Sequence, residues 1–122
     1  MAEKKPGTAL DFESLRGAIE RSDVKAIVDL YAENAEVSIV NHNSPPSSPF
    51  VLRGREAVTE YLKAVWSAGA RHRIENSVLG KDRVAFNEVW EYPDGTRVLA
   101  ATTLEVRDGK VVRAVSVESW DE

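Results

Sequence analysis

Apolar positions along this chain follow two rhythms, and the change between them divides it. Before residue 70 they recur mostly at helical spacing, and from Arg71 to Trp120 they mostly alternate. Phe12, Leu15 and Ile19 predict a first helix, with Thr8 as its N-cap and Asp11 as a loose version of the capping box. Ser22-Asp23 interrupts that pattern and caps a second helix, whose apolar face is Val24, Ile27, Val28 and Tyr31 and whose stop is Asn34. AEVSIV reads as a strand, NHNSPPSSP (41–49) as a loop and FVLRG as a short strand. Val58, Tyr61, Leu62, Val65 and Trp66 form the wide stripe of a third helix, with Gly69 as its left-handed stop. Residues 1–7 read as a flexible leader and 8–122 as one domain. The expectation is an α+β fold, with three helices packed on a mainly antiparallel sheet.

The four long strands, RHRIENSVL, RVAFNEVWEY, TRVLAATTLEV and KVVRAVSVESW, are joined by turns that set their register. Pro93-Asp94-Gly95 suits a three-residue hairpin loop, which puts Trp90 opposite Val98 and Glu91 opposite Arg97, a charge match. The turn around Gly80-Lys81-Asp82 sets Leu79 opposite Arg83, and so His72 opposite Trp90 and Ile74 opposite Glu88. A loop of Arg107-Asp108-Gly109 sets Thr102 opposite Ala114 and Val98 opposite Glu118. A two-residue Asp108-Gly109 turn is the rival, and it would flip the last strand.

Alternation then gives the sheet two faces. The inner one, toward the helices, holds His72, Asn76, Phe86, Glu88, Trp90, Thr102, Ser116, Glu118 and Trp120 among aliphatic residues. The outer one has an apolar centre of Ala85, Val89, Leu99, Ala101, Val115 and Val117, too large to leave wet without a reason, so a homodimer through this face is expected.

Composition narrows the function classes. A chain of 122 residues that is 43% hydrophobic suits a single core. With no cysteine, thiolate zinc sites, disulfides and cysteine nucleophiles are excluded. A net charge of −4 without a basic run argues against nucleic acid. No apolar stretch has the length of a membrane span and the first residues lack a signal-peptide centre, so a cytoplasmic protein is the default. The two histidines, His42 and His72, share no metal-ligand spacing, and neither metal nor cofactor is expected.

The order helix–helix–strand–strand–helix, followed by a long curled sheet, resembles the nuclear-transport-factor-2-like fold, and in particular its SnoaL-like branch. Ser22-Asp23 followed by AIVDLYAENAEV, then VLRGREAVTEYL, and PDGTRV with LEVRDGKVVR carry the likeness. It implies a strongly curved sheet, a cone-shaped pocket between helices and sheet, and often a dimer through the outer face. The fold hosts unrelated functions, so activity has to be tested residue by residue. Where ketosteroid isomerases carry a tyrosine and two aspartates, matching positions here hold Leu15, Ile39 and Thr102. Where limonene epoxide hydrolases carry Asp-Arg-Asp, the chain holds Glu88, Trp90 and Ser116. Arg71-His72-Arg73-Ile74 is similar to the context of a scytalone dehydratase histidine, and Glu20 falls near that family's first-helix aspartate.

His72 and Glu88 are the catalytic candidates. As diagonal cross-strand neighbours, about 7–8 Å apart at the backbone, they reach each other inside the pocket and can share a proton. The alternative is that they only satisfy each other, or bond to Trp and Tyr groups. Trp66, Phe86, Trp90 and Trp120 are expected as pocket wall, and Asn76, Thr102 and Ser116 as groups orienting a ligand. Glu118 is placed at the rim, solvated near the chain end, and His42 in an exposed loop at the mouth. Two functions stay open. One is a cofactor-free isomerase, dehydratase or cyclase that transfers protons on a small hydrophobic substrate. The other is a non-catalytic ligand-binding or dimerisation module.

Overall fold

Three helices lie against one face of a curved six-stranded sheet in this computed structural model, which describes residues 9–121. The expected leader and Thr8 lie outside the described residues. Helix α1 (Phe12–Glu20) is capped by Asp11, whose carboxylate accepts from the Ser14 N–H at 3.1 Å. Helix α2 (Val24–Val28) is capped in the same way by Asp23, which accepts from the Ala26 N–H. The chain continues as β1 (Tyr31–Val40), β2 (Phe50–Arg53), α3 (Arg55–Trp66), β3 (Arg71–Leu79), β4 (Arg83–Glu91), β5 (Arg97–Arg107) and β6 (Lys110–Trp120). Sheet order is β2-β1-β6-β5-β4-β3, antiparallel except for the parallel β1–β6 pair. The architecture is the α+β fold expected from the sequence. Among the described residues no helix is long and apolar enough to cross a membrane.

Tyr31 leaves the helical stripe to which its spacing assigned it. Helix α2 ends at Val28, and Tyr31 opens β1 opposite Val111, whose N–H donates to the Leu30 carbonyl at 2.9 Å. A strand partner 80 residues away prevails over the local 3.6-residue period, and Lys110 Nζ, donating to the Asp29 carbonyl at 2.7 Å, holds the helix end beside β6.

Two bulges decide which side chains face the helices. Along β3, pairing runs His72↔Trp90, Ile74↔Glu88 and Glu75↔Asn87, then shifts so that Val78 meets Ala85 and Leu79 meets Val84 rather than Arg83. The extra residue lies around Asn76, which takes a left-handed φ of 54°. Asn76 and Val78, both assigned to the inner face by strict alternation, are therefore exposed.

The other bulge is in β6. Asp108 and Gly109, both at positive φ, make the two-residue turn, so Arg107 meets Lys110 and Val106 meets Val111. An extra residue near Val112 then restores the parity, and Glu105 pairs with Arg113. The expected three-residue loop is not formed, yet the feared flip does not follow. Thr102 lies opposite Ser116 rather than Ala114, Val98 opposite Trp120 rather than Glu118, and the inner face of β6 is kept.

The Pro93-Asp94-Gly95 turn is as expected. Gly95 sits at φ 91°, Trp90 pairs with Val98, and Glu91 takes Arg97 at 3.6 Å and Arg71 at 3.2 Å. The main core lies between the helices and the inner face, with Leu15, Leu104 and Val111 fully enclosed. At the edge strand β3, α1 satisfies exposed backbone: Glu20 accepts from the Ile74 N–H at 3.0 Å and Arg16 donates to the Ile74 carbonyl.

Candidate functional site

One row of residues across the sheet builds the site. Ile74, Glu88, Ala100 and Glu118 lie opposite one another on β3, β4, β5 and β6, so two glutamates face inward on either side of an alanine. The next row is His72, Trp90, Val98 and Trp120. Period-2 alternation puts each tryptophan on the same face as the glutamate two residues before it. Glu88-Val89-Trp90 and Glu118-Ser119-Trp120 thus form the same local unit twice.

In the first unit, Glu88 Oε2 accepts from the indole Nε1 of Trp90 and lies 3.0 Å from His72 Nδ1. The His72 side chain has no exposed surface, its ring set between Trp66 and Trp90 with centroids at 5.3 and 5.6 Å. Its Nε2 is buried and meets no partner among the described residues. A neutral ring with its proton on Nδ1 leaves only a lone pair unmatched there. A proton on Nε2 would be a buried donor without acceptor, so the hydrogen-bond network assigns the Nδ1–H tautomer donating to Glu88.

In the second unit, Glu118 Oε1 accepts from Trp120 Nε1 at 3.2 Å and from Asn41 Nδ2 at 3.0 Å. Asn41 begins the loop, where its Oδ1 accepts from the N–H groups of Asn43 and Ser44. His42 is exposed and stands edge-on to Trp120, centroids 4.3 Å apart. Glu118 is not solvated, contrary to expectation: it is 8% exposed, like Glu88.

An inner chamber of about 90 Å³ lies over this row, walled by Tyr31, Tyr61, Trp66, Phe86 and Trp90 among aliphatic side chains. It meets a vestibule of about 460 Å³ bordered by Asn41, Phe50, Tyr92 and Trp120. Tyr61, Trp90 and Glu118 border both spaces. Glu88 lines the inner chamber, and Thr102 and Ser116, also lining it, bond to each other at 3.1 Å. Burial, and secondarily the Glu88 carboxylate, push the Tyr31 phenol well above the usual tyrosine range. Burial first, then Glu118, raises Tyr61 to about 12, and the same causes raise Tyr92.

The structure brings His72 and Glu88 together as the register required, but it does not put both at the cavity. Glu88 forms wall, whereas His72 stands behind it. Trp66, Phe86, Trp90, Thr102 and Ser116 line the inner chamber, and Trp120 the vestibule. Asn76 lines neither. Sequence reasoning missed Tyr31, Tyr61 and Asn41 as site residues. The repeated Glu-x-Trp was the available signal for the two like units. Among the described residues no three His, Asp or Glu side chains gather as metal ligands would.

No curated protein matches the sequence. Solved structures match it in fold. An NTF2-like protein of unknown function from Mesorhizobium loti is 21% identical, with a TM-score of 0.75 over 88% of this chain and 86% of its own. A candidate ketosteroid isomerase from Kribbella flavida is 16% identical, with a TM-score of 0.72 over 91% of this chain and 75% of its own. A protein with a ketosteroid isomerase-like fold from Catenulispora acidiphila, in complex with trimethylamine, is 17% identical, with a TM-score of 0.66 over 86% and 82%. Leu15, Ile39 and Thr102 all line the inner chamber. The SnoaL-like domain matches residues 12–114, and the chain belongs to that family.

Proposed function

We propose that the chamber receives a compact, largely apolar small molecule and that Glu88 moves a proton on it without a cofactor, as an isomerase, dehydratase or cyclase would. The observation that carries this reading is the division of labour within the Glu88 carboxylate. Oε2 is fixed by an indole and an imidazole N–H, while Oε1 has no hydrogen-bond partner among the described residues and belongs to a group on the chamber wall. A base held on one oxygen and open on the other is positioned without being blocked. His72 is then a positioning residue, which orients Glu88 and, as the carboxylate takes up a proton, weakens its hydrogen bond. The trimethylamine held by the Catenulispora neighbour agrees with a compact ligand in this fold.

Exchange in heavy water tests the reading. A panel of compact ketones and amines should show binders whose carbon-bound protons exchange for deuterium, followed by NMR. Glu88→Gln should slow that exchange about 10²–10⁴-fold while leaving the thermal unfolding transition in place. Equal exchange by wild type and variant would make the pocket a binding module only.

The same reading includes a homodimer through the outer sheet face, where Leu99 and Val117 are each half exposed beside Val89 and Ala101. Sedimentation at micromolar concentration should give twice the chain mass, and Leu99→Glu should return it to one.

A further inference from the structure

We infer that the ligand carries a positive charge: a compact organic ammonium seated between Glu88 and Glu118. This rests on the chamber being a small-molecule site and goes further, by naming the class of molecule it takes.

Charge is the first argument. Glu88 and Glu118 are each 8% exposed and face one another across Ala100, two strand spacings or roughly 9.6 Å apart at the backbone. Among the described residues the hydrogen bonds they receive come from two indoles, one carboxamide and the His72 imidazole, and none from Lys or Arg. Among the described residues no Lys or Arg lines the chamber or the vestibule, and Asp121 borders the vestibule. Nearby cations are turned to other work, Arg55 to the Tyr31 carbonyl and Arg16 to the Ile74 carbonyl. Two carboxylates in apolar surroundings without a protein counter-ion are costly, and a bound cation removes that cost. Glu118 Oε2, like Glu88 Oε1, has no hydrogen-bond partner among the described residues.

The walls select the kind of cation. Tyr31, Tyr61, Trp66 and Trp90 surround the chamber with aromatic surface, which attracts an ammonium through its quadrupole. A small inorganic cation needs six or more oxygens, and an apolar aromatic chamber does not supply them. Size gives the head group. About 90 Å³ is less than the ~150 Å³ of an engineered cavity that holds benzene, so a methylated ammonium fits and a larger ring does not. The rest of the molecule extends past Glu118 into the vestibule.

The test uses the full chain and a matched pair of probes: choline, and 3,3-dimethylbutan-1-ol, which has the same shape with carbon in place of the charged nitrogen. Tryptophan fluorescence and calorimetry should show choline binding at least about tenfold more tightly than the alcohol. Glu118→Gln should weaken choline by about tenfold or more and leave the alcohol nearly unchanged. Equal affinity for the two probes, binding of neither, or equal competition by potassium chloride would overturn the inference. The wild-type comparison needs no variant to fold. Choline binding together with no deuterium exchange on any ketone of the panel would sink the catalytic reading and leave this one standing, and the reverse pattern would do the opposite.

Discussion

Glu88 and Glu118 share a row, a face, a degree of burial and an indole donor two residues on, and they differ in the second partner and in the spaces they border. For Glu88 that partner is an imidazole locked between two tryptophans, on a strand held in register across the sheet. For Glu118 it is a carboxamide at the start of a loop. The first arrangement fixes a carboxylate on rigid elements beside a group able to carry a proton. The second ties a carboxylate at the junction of two spaces to the segment that borders their mouth. The comparison teaches that the same Glu-x-Trp unit becomes a candidate base or a candidate anchor according to what comes to it from elsewhere in the chain.

The largest test of that difference removes the second partners. His72→Ala deletes a fully enclosed ring and a hydrogen bond to a buried carboxylate, and should cost about 3–5 kcal/mol in urea unfolding. Asn41→Ala removes one hydrogen bond from a part-buried loop position and should cost about 1 kcal/mol. Similar costs would erase the distinction between rigid and loop-borne support.

Next in size is the alanine that separates the two acids. Ala100→Leu should destabilise the protein by about 1–3 kcal/mol through overpacking, and should abolish probe binding seen by tryptophan fluorescence. Retained binding would mean that the two carboxylates do not address one ligand.

The smallest effect is spectroscopic. Each acid has a reporter phenol: Glu88 raises Tyr31, and Glu118 is the leading charge on Tyr61. Glu118→Gln should lower the Tyr61 midpoint from about 12 and leave Tyr31 high, and Glu88→Gln should act chiefly on Tyr31. Ultraviolet titration of the three tyrosines, with single Phe variants for assignment, reads this directly. Because folding raises the Tyr61 value above the ordinary ~10, its contribution to stability is complete below that pH and is lost as pH climbs toward the folded midpoint. Tyr61→Phe should flatten that alkaline loss.

Much of the site was legible because turn chemistry propagates along strands. Pro93-Asp94-Gly95 set Trp90 against Val98, while the preceding turn closes Leu79 on Val84 rather than Arg83 and the bulge at Asn76 cancels that slip, so Ile74 still meets Glu88 and the His72–Glu88 contact drawn from the sequence is kept. Asn76 was misplaced because RHRIENSVL alternates too loosely to mark an inserted residue, and a left-handed asparagine leaves no trace in hydrophobicity. Tyr31 was misplaced because its partner, Val111, lies far along the chain. The apolar spacing before it fits a helix equally well. The seclusion of His72 was invisible for a different reason. Alternation says which face a ring is on, and says nothing of how deep it lies or what stands in front of it.

The bulge near Val112 gives the inner wall a reading frame. Upstream of it Val111 faces inward, and beyond it Ala114, Ser116, Glu118 and Trp120 do, one residue out of phase. Ironing out the bulge while keeping its residue, so that Val112 rather than Arg113 pairs with Glu105 and the turn is unchanged, would act on the pocket as a frameshift acts on a message. Val117 and Ser119 would replace the acid and the indole, and every downstream side chain would change solvent. A lineage that keeps this wall can therefore vary its turn only in steps that preserve parity, or in pairs of changes that cancel.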